Sequence, residues 1–319
     1  MKTTLRYMTI FLLFVFGSRI GRAKDFEEIR ESYRDVTTLE METTSGDCEI
    51  IGSDTDEISV DVKYNITPAK NFQPEMRQRG NTLHISERWH GRSQGWVEWT
   101  ITVPTELEVE LSTASGDLTI SGLKRSLEAE AASGDIEVND CSGDIEVTTA
   151  SGDLQIENCR GDLELSTASG DISLEDITGM LEASSASGDL EADNCSGYLD
   201  CGTASGDMTL ESITCTESSN FSSASGDIEI GMDSPPTVDL WLSTASGDIQ
   251  LRIGGKPVNA RYVFECDKHR GKINSRFEFD KTEEFRVSRD TYLRKIIGEN
   301  RKQPTVTVRT ASGTITLTK

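Results

Sequence analysis

The sequence predicts an all-β, parallel β-solenoid with about 18 residues per coil, two strands to a coil, right-handed coiling and β-rich caps at both ends. Three observations carry this. Glycines stand at 134, 143, 152, 161, 170, 179, 188, 197 and 206, a spacing of nine without a break. The nine-residue units alternate in kind, so the true period is two units. Within each unit the residues at Gly+2 and Gly+4 are apolar, as in Ile145 and Val147, Leu154 and Ile156, Ile172 and Leu174. That period-two alternation marks a strand with one buried face. A lone coil cannot bury that face, and stacked coils can. Crossovers between parallel strands favour the right hand.

The elements follow in chain order. Residues 1–23 read as a signal peptide: Lys2 and Arg6, the apolar run Met8 to Phe16, and Gly21-Arg22-Ala23 at a cleavage position. The apolar run is short for a membrane span. The expected destination is secreted, periplasmic or cell-envelope. Residues 24–111 are expected to form an N-terminal β cap, with strands over 57–66, 81–87 and 96–104. A degenerate unit, Ser45-Gly46-Asp47-Cys48-Glu49-Ile50, gives that cap the same architecture. Residues 112–251 form the solenoid proper, about seven coils. Residues 252–319 are a basic segment with a degenerate rung at Gly271 and a closing rung over 311–317.

Charge narrows the function. The net charge is −23 and the pI about 4.5, which disfavours nucleic acid. Residues 112–251 hold 28 acidic and 3 basic side chains; residues 252–309 hold 15 basic and 8 acidic. The basic segment is expected to fold back on the acidic rod, the alternative being contact with an anionic surface.

The ASGDI-type units, the early TTSGDCEIIG, the ITVP before ELEVELSTASGDL and the closing VRTASGTITL together resemble the "putative adhesin" β-strand-repeat family of bacterial envelope proteins, a domain of unknown function. The likeness covers nearly the whole chain after residue 23. It implies an extracytoplasmic β-solenoid with a binding or scaffold role, and it brings no catalytic residues.

Several residue sets are candidates for a site. Asp117, Asp135, Asp153, Asp171, Asp189, Asp207, Asp227 and Asp248 occupy one repeat position. Stacked carboxylates repel, so either turn N–H groups or bound Ca²⁺ must offset them. Calcium β-rolls carry G-G-x-G-x-D, whereas here Asp directly follows a single Gly. The T-A-S runs Thr149/Ser151, Thr167/Ser169, Thr203/Ser205 and Thr244/Ser246 are either small residues packed at a tight corner or an outward hydroxyl array that could bind ice or glycan. Cys141, Cys159 and Cys195 share the phase that Ala has in the partner unit and read as buried; Cys141 and Cys159 lie on adjacent coils, where a bridge is an open alternative. Trp89, His90, Trp96 and Trp99 form either a cap core or a sugar-stacking cluster. The expected function is a non-catalytic exported cell-envelope solenoid with a structural, adhesive or surface-binding role. Its partner would be an envelope surface, a glycan or a protein, and self-association is open. The alternatives are a calcium-binding acidic β-roll-like module and a β-helix polysaccharide-active enzyme. The scarcity of basic residues in the rod, only Lys124, Arg125 and Arg160, counts against the enzyme.

Overall fold

The computed structural model describes residues 26–255, 259–298, 300 and 302–319. The expected signal peptide lies outside the described residues. The chain winds as a parallel β-solenoid between a sheet of 14 strands and a sheet of 16. In one coil, Leu154–Glu157 lies in the first sheet and Arg160–Thr167 in the second. The next coil repeats this with Ile172–Glu175 and Thr178–Ser185, and Leu154 faces Ile172 as Leu163 faces Leu181. Setting aside the antiparallel cap strands and the two-residue strand Thr214–Cys215, twelve strand pairs remain in the stack. Eight of them lie between Glu108 and Ile253, against the seven or so expected.

The alternation places every second side chain inside. One inner column runs Leu118, Ile136, Leu154, Ile172, Leu190, Met208, Ile228, Ile249, Ile315, all buried. Facing it, the second sheet supplies Leu127, Ile145, Leu163, Leu181 and Leu199. Burying one such side chain is worth ~1.5–3 kcal/mol. Repetition therefore compensates for a core only two side chains thick.

At both ends, sequence order and spatial order differ. The rung made by Thr38–Ser45 and Asp47–Ser53 is sandwiched. On one side it pairs with Thr82–Trp89 and Gln94–Pro104, on the other with Glu108–Ser115 and Leu118–Ser121. The far end mirrors this. The final rung, Thr305–Thr310 and Thr314–Thr318, sits between Leu240–Thr244/Ile249–Ile253 and the outer rung Arg261–Asp267/Lys272–Ser275. The degenerate rung expected at Gly271 is thus present, outside the closing one.

Antiparallel strands finish the stack. Glu57–Thr67 and then Glu27–Arg34 add to Gln94–Pro104; Phe72–Arg79 adds to Thr82–Trp89; Asp290–Ile297 and Lys281–Val287 add to Arg261–Asp267. The pattern did not predict 27–34 or 72–79. Both are edge strands, mostly charged or polar, with no buried stripe to betray them. The basic segment extends the stack and does not fold back along it. Its inward residues Tyr262, Phe264 and Cys266 are buried. Its charges find local partners: Glu265 takes Arg294 at 2.6 Å and Arg309 at 2.7 Å, and Arg252 pairs with Glu211 and Glu229.

Stacking this tight explains the glycines. A Cβ on Gly152 would lie 1.8 Å from the Gly134 carbonyl oxygen. At Gly161 the backbone is also left-handed, φ +135°, and a Cβ would meet Gly143 O at 2.1 Å. Gly202 has neither constraint, its nearest neighbour being the Ser222 hydroxyl at 3.5 Å. Gly152→Ala and Gly161→Ala are each expected to cost ~4 kcal/mol or more, at the far end of what single substitutions do, while Gly202→Ala stays near neutral. Thermal unfolding of the three variants checks this, and equal melting temperatures would refute it.

Candidate functional site

Two unlike corners join the sheets. At the first, the T-A-S-G-D run leads from the second sheet to the first. Each aspartate here accepts a backbone hydrogen bond from the next coil. Asp153 N–H donates to Asp135 Oδ1 at 2.8 Å, Asp171 N–H to Asp153 at 2.8 Å, Asp189 N–H to Asp171 at 2.8 Å and Asp207 N–H to Asp189 at 2.7 Å. The column runs unbroken from Asp47 through Asp117, Asp227 and Asp248 to the N–H of Thr314. All eight candidate aspartates are therefore brought into one line. Each has a hydrogen-bonding task in the turn, so the column needs no cation to account for it. Among the described residues no group of three or more His, Cys, Asp or Glu is arranged to hold a metal ion.

The hydroxyl array turns out differently. The serines Ser151, Ser169, Ser205 and Ser246 are exposed, but Thr149, Thr167, Thr203 and Thr244 point inward and are buried. Thr149 Oγ1 accepts the Gly152 N–H at 3.1 Å and donates to Gly134 O of the preceding coil at 3.3 Å. Thr167 and Ser185 repeat the arrangement. The threonines are internal ties between coils, and the expected outward grid is halved. In the outermost coil the same register position holds Glu87, whose carboxylate accepts both indole N–H groups of Trp89 and Trp99, at 3.0 and 2.9 Å, and the Thr44 N–H at 2.9 Å. Trp99 is buried, and Trp89 packs on Phe72 with centroids 4.7 Å apart. These two belong to the cap core; Trp96 is 45% exposed and lies 6.0 Å from Phe26.

At the second corner one residue per coil adopts the left-handed conformation: Gly122, Asp140, Asn158, Asp176, Asn194, Ser212. Asp and Asn alternate, and the Asn158 and Asn194 amides donate to Asp140 and Asp176. The following residue points inward, giving buried Leu123, Cys141, Cys159, Ile177, Cys195 and Ile213. The cysteines are buried as expected, but the parallel with Ala fails, because Ala132, Ala150 and Ala168 at the other corner are exposed. The αL residue here shifts the inward phase by one.

The outer faces carry the charge. On the second sheet Glu40, Glu110, Glu128, Glu146, Glu164, Glu182 and Asp200 form one in-register row of seven carboxylates, with His84 beside Glu40 at 2.7 Å. On the first sheet Glu157, Glu175 and Asp193 stack in the same way. The charge of Glu157 is the main reason the Glu175 carboxyl titrates above its ordinary range, with a smaller contribution from desolvation. The described residues contain no helix long and apolar enough to cross a membrane.

Stacked two-strand coils with glycine corners and solvated acidic faces define a parallel β-solenoid repeat protein. The chain belongs to the Toastrack DUF4097 family, whose profile matches residues 36–256 and 162–318. Among solved structures it is similar to a "putative lipid binding protein" from Parabacteroides distasonis, with 15% identity over 92% of this chain and 97% of that one and a TM-score of 0.44. It is also similar to a "putative adhesin" from Bacteroides fragilis, with 15% identity over 92% and 96% and a TM-score of 0.35. A "putative cell adhesion protein" from Clostridium sporogenes shares 10% over 92% and 99%, with a TM-score of 0.23. No curated protein matches.

Three outcomes are expected of these columns. Asp171→Ala, which strands the Asp189 N–H, should cost ~1–3 kcal/mol, and Asp171→Asn, which keeps the acceptor, much less. The melting temperature should respond equally to Ca²⁺ and Mg²⁺ at constant ionic strength; a rise specific to Ca²⁺ would make the column a metal site. Because Glu175 binds its proton more readily folded than unfolded, stability should fall as pH rises through its titration range. Glu175→Gln should flatten that slope in a pH series of denaturation curves, and an unchanged slope would remove the stacked charges as its cause.

Proposed function

We propose that the chain is an exported, non-catalytic envelope solenoid that acts as a rigid adhesive or surface-binding module, offering the carboxylate row of its second sheet to a cationic partner surface. The observation that carries this is the row itself: seven acidic side chains in consecutive coils, with no lysine or arginine among them. A solenoid holds such charges at fixed spacing, and a regular field of one sign steers and selects partners of the other. Catalysis needs unlike groups converging on one point, whereas a repeat offers each coil nearly the same side chains. The basic-then-apolar start at Lys2, Arg6 and Met8 to Phe16 supports export.

The test uses polylysine as the cationic probe. Glu128→Lys/Glu146→Lys/Glu164→Lys should weaken binding at least tenfold. Glu49→Lys/Glu137→Lys/Glu191→Lys, on the outer face of the first sheet, makes the same change in net charge and should weaken it far less. Equal losses would mean that net charge alone attracts the probe and that the row is no binding face.

A further inference from the structure

We infer that Cys141 and Cys159 are a disulfide site, a covalent staple between two consecutive coils. They are next to each other in the inward column of the second corner. Ser142 faces Arg160 in register, and Arg160 N–H donates to Cys141 O at 3.0 Å. Residues so paired have Cα atoms ~4.8 Å apart, the spacing of neighbouring strands. Disulfides span ~4.4–6.8 Å between Cα atoms, so no backbone movement is required for the distance.

The thiols face each other in a dry column, both side chains almost wholly buried. Each donates to a carbonyl two residues back, Cys141 to Asn139 O at 3.2 Å and Cys159 to Glu157 O at 3.3 Å, and each also lies within hydrogen-bonding reach of the other. Cys141 additionally accepts the Leu123 N–H at 3.4 Å. Proximity to Cys141, and then burial, push the Cys159 thiol up.

Cys195, Cys201 and Cys215 lie close enough to interact electrostatically, but Cys201 faces neither of the others in strand register. Ile177 separates Cys159 from Cys195 in the column. Cys201 faces Ala183 and Phe221, and Cys215 faces Gly197. Cys48 lies against Met41, its Sγ 3.6 Å from the thioether, and Cys266 is in the far cap.

The chemistry balances with a low-molecular-weight disulfide as oxidant. One of the two cysteines, as its thiolate, attacks oxidised glutathione, forming a mixed disulfide and releasing one glutathione thiolate. The other, losing its proton, then attacks that cysteine's sulfur and releases the second. Two protein thiols are oxidised and one glutathione disulfide is reduced to two thiols. Burial shields the pair in the folded state, so the exchange belongs to folding.

The experiment refolds the mature chain in a glutathione redox pair, alkylates it after denaturation and maps the digest by mass spectrometry. One bridge, Cys141 to Cys159, is expected, with the other five cysteines alkylated. The oxidised protein should melt several degrees higher than after reductant, and Cys159→Ser should lose that difference. Comparing the wild-type chain with and without reductant gives the same reading should the variant fail to fold. Seven alkylated cysteines in natively folded protein, a bridge between any other pair, or folding only in reductant would each overturn the proposal.

Discussion

The structure depends on one constraint: each coil makes its backbone hydrogen bonds with the coil above and the coil below. Everything else is an accommodation to strand spacing. A glycine stands wherever a corner would otherwise drive a Cβ into the carbonyl of the preceding coil, as at Gly152 and Gly170. The side chains flanking those glycines then tie the corner along the stack. Thr167 joins its own Gly170 N–H to the Gly152 carbonyl, and Asp153 takes the N–H of Asp171. Corners are where a sheet's ladder runs out, and buried polar groups there must be paired. The repeat motif is largely a list of those pairings.

The same stacking multiplies any unfavourable pair by the number of coils. Two unit charges at ~4–5 Å repel by ~1 kcal/mol even in water. The chain handles this differently from place to place. In the αL column the carboxylates Asp140 and Asp176 alternate with the amides Asn158 and Asn194, so neighbours attract. In the first-corner column all are Asp, and a donated N–H per coil offsets the charge. On the outer faces the carboxylates stand in water, where salt screens them. There Glu175 shows the residual strain in its raised titration.

Much of this was legible in the residues. Nine-residue glycine spacing and apolar Gly+2 and Gly+4 positions define the coil, because both period and alternation are direct images of stacking. The task of the aspartates was legible too, since Asp after a corner glycine can accept from a neighbouring turn. The inward threonines were not. Thr149 stands three residues before Gly152, and period-two counting cannot be carried through a corner whose geometry is unknown. The αL residues at 140, 158, 176 and 194 shift the inward phase by one, so Cys141 is buried while Ala132, at the same offset from its glycine, is exposed. The charged edge strands 27–34 and 72–79 carry no alternation strong enough to read.

The threaded ends follow from the same constraint. A stack of identical coils has no intrinsic length, and an uncovered last coil would template another chain. This chain places its repeat-like closing rung, Thr305–Thr310 with Thr314–Thr318, one position inside the end and covers it with an irregular one. Beyond that, antiparallel strands reverse the direction that a further parallel coil would need. At this end the edge of the first sheet is Lys272–Ser275, four residues beginning with a lysine. The N-terminal end uses the same device, with the rung at 38–53 enclosed by one formed later in the chain. Each end rung is held on both sides by segments distant in sequence. The rod therefore closes at a defined length, while the carboxylate row ends earlier, where Asn220 and then Trp241 follow Asp200 in register.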